Sequence, residues 1–154
     1  MKRQSHPEYI EASHHNSMKV SKKAYYGLRA IVMLAQQSGA TSIHTLAQAE
    51  NLPAGYLEKI LQTLRRAGIV EATKGTAGGY VLSRPATDIS VWEVLSALDG
   101  PIKTVDAPNG TLPCFHVSHC QTNEVWRVLE NKIESTLTDI SIASLIPHHI
   151  ISHT

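Results

Sequence analysis

The chain has 154 residues, 42% of them apolar, and a formal net charge of +1. That length supports one modest core, or a small domain with an appended helix, and excludes two large domains. Its longest apolar run, Ala30-Ile31-Val32-Met33-Leu34-Ala35, falls far short of the roughly 20 residues that cross a bilayer. The opening MKRQSHPEYIEASHHNS has a basic pair but no apolar stretch of the kind a secretory signal needs, so a cytoplasmic protein is expected.

Residues 1–17 are polar and aperiodic, which predicts a disordered leader. Over 22–37, Ala24, Tyr25, Leu28, Ile31, Val32 and Ala35 recur every three or four residues and predict an amphipathic helix that Ser38-Gly39 ends. Ser42-Ile43-His44 suggests a short strand, and residues 45–51 a brief helix with Leu46 and Ala47 inward and Asn51 near its C-terminus. Pro53 suits a first helical turn. PAGYLEKILQTLRRAG then sets Leu57, Ile60, Leu61 and Leu64 on one stripe, with Gly68 as a left-handed cap. Two helices joined by a short turn, preceded by another, match the helix-turn-helix plan.

IVEATKGTAGGYVLSRP puts β-branched residues on either side of a turn containing Gly75, Gly78 and Gly79, the pattern of a hairpin. A hairpin directly after a helix-turn-helix is a wing, and Lys74 at its base can reach phosphate or the minor groove. In SVWEVLSALDG, Ser90 stands three residues before Glu93 as a capping box and Gly100 is a stop, which predicts a helix over 91–99. From Asn123 onward, Trp126, Leu129, Ile133, Leu137 and Ile140 form a stripe longer than so small a core needs. This predicts a homodimer seam, with packing on the chain's own winged domain as the alternative.

Charge is separated along the chain. Residues 18–84 hold nine Lys or Arg against three acids, a net of +6, whereas residues 85–154 hold three against eight, a net of −5. A basic first half suits a polyanion better than a membrane surface. Enzyme chemistry has no foothold: there is no carboxylate pair or nucleophile triad, and GTAGGY lacks the lysine and hydroxyl of a phosphate-binding loop.

MKVSKKAYYGLRA, the long run LPAGYLEKILQTLRRAGIVEATKGTAGGYVLSRPATDISVWEVLSALDG, and CFHVSHC followed by NEVWRVLENKI together resemble the Rrf-two family of bacterial winged-helix regulators, which includes the IscR and NsrR types. The resemblance spans roughly residues 18–146. It implies a mainly α fold: a winged helix-turn-helix at 18–100, a sensor loop at 101–122, a long dimerisation helix at 123–146 and a tail at 147–154. It also implies a dimeric regulator on a palindromic operator in double-stranded DNA. Carried over by position, Ala54, Gly55, Tyr56, Glu58 and Lys59 form the reading end of the third helix. Glu58 suits a cytosine amine and Lys59 guanine or phosphate. Ser21, Lys22 and Lys23 would position phosphates, and Lys74, with Gly75 and Thr76, stands where many relatives carry a wing arginine. A winged-helix module that binds protein and not DNA is the competing expectation.

CFHVSHC, residues 114–120, holds both cysteines of the chain. In cluster-binding relatives three cysteines in this loop hold an iron-sulfur centre. Cys114 and Cys120 match the last two, but the first has no counterpart: VDAPNGTLP offers Asp106 and Asn109 but no thiol. Asn123 stands where some relatives place a histidine, and Tyr25 where others place a carboxylate. Several readings stay open: a 2Fe-2S cluster with His116 and His119 completing the ligands, a zinc site, a dithiol–disulfide pair, or an inert loop.

Overall fold

The computed structural model describes residues 20–75, 78–103 and 121–147. The expected leader, the CFHVSHC run, Thr76 and the last seven residues of the tail lie outside them.

Helix α1 spans Lys22–Ala35, capped by the Ser21 hydroxyl, which accepts from the Ala24 amide at 3.0 Å. No acid occupies its first turn. Instead Asp99, far along the chain, accepts from the Ser21 amide at 3.1 Å and the Ser21 hydroxyl at 2.6 Å, placing a negative charge at the positive end of the helix dipole. The buried stripe is Ala24, Gly27, Ala30, Ile31 and Leu34. The expected face holds at Ala24 and Ile31, and Leu28, Val32 and Ala35 pack partly buried against the core; Tyr25, 52% exposed, is the correction. The helix is apolar on most sides, so periodicity could not choose. Small residues decide, because a Cβ at Gly27 would lie 2.3 Å from Leu98 Cδ1.

The strand expected at 42–44 is also corrected. Ser42 is the N-cap of α2, Ile43–Glu50, and its hydroxyl accepts from the Thr45 amide at 3.1 Å. The extended residue is Thr41, one position earlier. Asn51 ends α2 in the left-handed region at φ 52°, as its side chain tolerates. Helix α3 is Ala54–Arg66, with Pro53 at the N-cap position and not in the first turn. Its stripe Leu57, Ile60, Leu61 and Leu64 is buried as expected, and Gly68 takes φ 73° just beyond its end.

Strands β1, Val70–Thr73, and β2, Gly79–Leu82, pair antiparallel with Val70 opposite Leu82 and Thr73 opposite Gly79. Thr41 adds an isolated rung to β2: its amide donates to the Tyr80 carbonyl at 3.0 Å and its carbonyl accepts from the Tyr80 amide at 2.9 Å. Helix α4, Val91–Asp99, opens with the expected capping box and closes at Gly100, φ 80°.

Helix α5 runs Gln121–Thr138, starting two residues before and ending eight residues short of the expected 123–146. Beyond Thr138 the chain folds back toward the start of α4. The Val91 amide donates to the Ile140 carbonyl at 2.9 Å, the Ile142 amide donates to the Ile89 carbonyl at 2.8 Å, and a 3-10 turn over Ile142–Leu145 buries Ile142 completely. The core thus joins α1 to α4 with Ile69, Val70, Ile89 and Ile142.

Candidate nucleic-acid interface

Helices α2 and α3 and the turn 51–53 form a helix-turn-helix whose second helix turns Leu57, Ile60, Leu61 and Leu64 inward. The opposite face of α3 is exposed and carries Gly55, Tyr56, Glu58, Lys59, Gln62, Arg65 and Arg66. Thirteen residues at about 1.5 Å each make a rod near 20 Å long. A major groove admits such a rod. The entry of α3 carries no side-chain cap, and a Cβ added at Gly55 would meet nothing within 4 Å, so backbone and dipole face outward where a phosphate can approach. Ala54 is partly buried against the core. Gln62 Nε2 donates to Glu58 Oε1 at 3.5 Å, along the helix surface.

Ion pairing sorts the basic residues of the first half. Arg29 bonds Glu50, Arg84 bonds Glu93, and Lys23 lies 4.0 Å from Asp99. Among the described residues, Lys22, Lys59, Arg65, Arg66 and Lys74 make no such pair and stay exposed. Of the three residues expected before the first helix, only Lys22 has an uncommitted charge. Ser21 spends its amide and hydroxyl on Asp99 while capping α1.

Lys74 and Gly75 lead the wing turn, with Gly75 at φ 111° and the Gly78 amide closing on the Gly75 carbonyl at 2.9 Å. A Cβ at Gly78 would fall 2.6 Å from the Thr73 carbonyl oxygen, so only glycine fits this return. Tyr80 of β2 is electrostatically coupled to α3. Burial pushes its phenol up, the charge of Glu58 adds to that, and Arg65 opposes it.

The structure thus brings Tyr56, Glu58 and Lys59 onto one face, and adds Gln62, Arg65 and Arg66, which sequence reasoning missed although the basic pair in LQTLRRAG was a usable signal. Tyr26 was missed too, its ring lying 6.5 Å from that of Tyr56. Along α5 the expected seam divides. Leu137 and Ile140 pack on the chain's own core, with Ile140 beyond the helix end. Val125 at 61%, Trp126 at 41%, Val128 at 48% and Leu129 at 38% are exposed, and Ile133 lies between the two groups. No group of three or more His, Cys, Asp or Glu suited to a metal ion occurs among the described residues. None of the described helices is long and apolar enough to cross a membrane.

Residues 20–148 match the family model described as "Rrf2: Iron-dependent Transcriptional regulator". The HTH-type transcriptional regulator IscR of Vibrio atlanticus is 33% identical over 133 residues, covering 84% of this chain and 75% of that protein. Among solved structures, CymR (YrzC), the global cysteine regulator of B. subtilis, superposes with a TM-score of 0.69 at 30% identity, covering 84% of this chain and 96% of that one. T. potens IscR does so with 0.68 at 32% identity, covering 84% and 86%. These relatives are regulators and not enzymes. The exposed face of α3, the wing beside it and these likenesses lead to one conclusion: the chain belongs to the Rrf2 family and is a winged helix-turn-helix, DNA-binding transcriptional regulator.

Proposed function

We propose that this regulator binds a palindromic operator as a homodimer, setting one α3 per subunit into the major groove and one wing against the adjoining backbone. The observation that carries the reading is the exposed face of α3, where Tyr56, Glu58 and Lys59 stand together beside cations free of carboxylate partners. Glu58 and Lys59 address base edges; Lys22, Lys59 and Lys74 address phosphates, Ala54 and Gly55 offer backbone amides, and Gly75 shapes the wing turn. Lysine in the wing is a point charge and not a planar fork, which suits phosphate contact better than reading minor-groove shape. Lys59→Ala combined with Lys74→Ala should lower operator affinity by about a hundredfold and flatten the log–log salt dependence by roughly two, near 0.9 for each lost phosphate contact. Unchanged affinity would remove this surface from consideration.

The same reading makes residues 101–122 the receptor of a signal. Cys114, Cys120, His116 and His119 lie outside the described residues, so the fit rests on donor chemistry: two thiols and two imidazoles give four ligand atoms, the number a 2Fe-2S centre takes from protein. The family description names iron dependence. When bound, such a centre supplies a one-electron redox response. Tyr25, where some relatives offer a carboxylate, bonds Arg29 instead. Anaerobic purification with visible absorption and iron and sulfide counts tests the cluster. Colourless, iron-free protein would overturn it and leave the Cys114/Cys120 thiol pair, which Cys114→Ser and Cys120→Ser with and without oxidant would separate from an inert loop.

A further inference from the structure

Two side chains of α1, Arg29 and Tyr26, joined to each other through Tyr25, hold the two sides of the α2–α3 turn. On the α2 side, Arg29 donates through Nε to Glu50, the last residue of α2, whose side chain is only 8% exposed. The same guanidinium donates to the Tyr25 hydroxyl at 3.4 Å and lies 5.8 Å from the centre of that ring. Tyr25 and Tyr26 meet edge to face, 5.2 Å apart at 77°. Tyr26 in turn meets Tyr56, the third residue of α3, at 6.5 Å and 87°. Edge-to-face rings at these separations attract beyond their buried area and hold each other's rotation.

The turn needs such a grip on one side. Asn51 and Leu52 are tied back to α2, their amides donating to the Gln48 carbonyl at 3.2 Å and the Ala47 carbonyl at 2.9 Å. Across Pro53, α3 begins without a side-chain cap. The buried leucines and isoleucine hold the inner face of α3, whereas Tyr56 stands on its outer, reading face.

We propose that Tyr26 and Arg29 are positioning residues for base reading: without touching DNA, they set the first turn of α3 so that Tyr56, Glu58 and Lys59 meet the operator in one register. This rests on α3 being the reading helix. Hydrogen bonds to base edges fail within a fraction of an ångström and with modest misalignment, whereas attraction to the phosphate backbone falls off slowly. Loosening the clasp therefore removes discrimination and spares general affinity.

The test uses the full chain and the duplex that the wild type itself selects from a randomised pool, compared with an unselected duplex over a range of salt. Tyr26→Phe keeps the ring and should behave as wild type. Tyr26→Leu and Arg29→Lys should each lose about tenfold in the ratio of selected to unselected affinity, comparable to one mismatched base pair. Their unselected binding and salt slopes should stay unchanged. Arg29 is half exposed, so Arg29→Lys decides the matter if Tyr26→Leu fails to fold. A wild-type ratio in a folded Tyr26→Leu and in Arg29→Lys, or parallel loss of selected and unselected binding, overturns the clasp. A wild type that selects no duplex overturns the reading role of α3 itself, which is a different result.

Discussion

At Glu93, burial pushes the carboxyl up, but the bond from the Ser90 amide, the charge of Arg84 and the Ser90 hydroxyl together outweigh it and hold the group below the usual carboxylate range. The folded carboxyl is therefore the stronger acid. Its contribution to stability is fully present above the unfolded pKa and is lost as pH falls through the lowered, folded one. Glu93→Gln should lower the thermal midpoint at neutral pH and flatten its decline on acidification. Midpoints compared from about pH 7 to about pH 3 would show this, and an unaltered slope would contradict it. The capping box itself was legible from the spacing of Ser90 and Glu93, because both partners lie on one helical turn. Arg84 was not. It joins Glu93 to the Asp88 carbonyl at 3.1 Å and the Gly68 carbonyl at 3.2 Å, a junction whose members are brought together only by folding.

Among the elements, the wing depends on a contact that its own sequence does not contain. A Cβ placed at Gly79 would lie 2.3 Å from the Thr41 carbonyl oxygen and 2.9 Å from the Ser42 amide nitrogen. Backbone cannot step aside as a side-chain tip can. Gly79→Ala should destabilise the protein by about 1–3 kcal/mol, as overpacking does, and amide exchange at Thr41 and Tyr80 should rise most. Exchange unchanged there would contradict the anchoring. Legibility at this scale tracked local causes. Helix α3 was readable because its apolar stripe and left-handed Gly68 are local signals, whereas the inward face of α1 depended on how closely Leu98 could approach Gly27. Residues 42–44 looked extended because the β-branched Ile43 masked the capping role of Ser42.

For the molecule as a whole, Val125, Trp126, Val128 and Leu129 of α5 form a run of exposed apolar side chains among the described residues, and it supports the proposed homodimer. Trp126→Glu with Leu129→Glu should convert a dimer into a 16.9 kDa monomer, read by light scattering, and weaken operator binding far more than binding of a half-site. An unchanged dimer would move the interface elsewhere. The charge separation, +6 over residues 18–84, is visible in the order of charges along the chain, yet which of the described cations remain free depends on Arg29, Arg84 and Lys23 facing carboxylates in the fold. The order of helices, the hairpin, the capping box of α4 and the buried stripe of α3 were written in the order of residues, because each arises from neighbours within a few positions. The tuck of Ile142, the Thr41 rung, the sorting of charges and the division of α5 into packed and exposed halves needed the folded chain. They are contacts between distant segments, and linear spacing carries no record of which segments will meet.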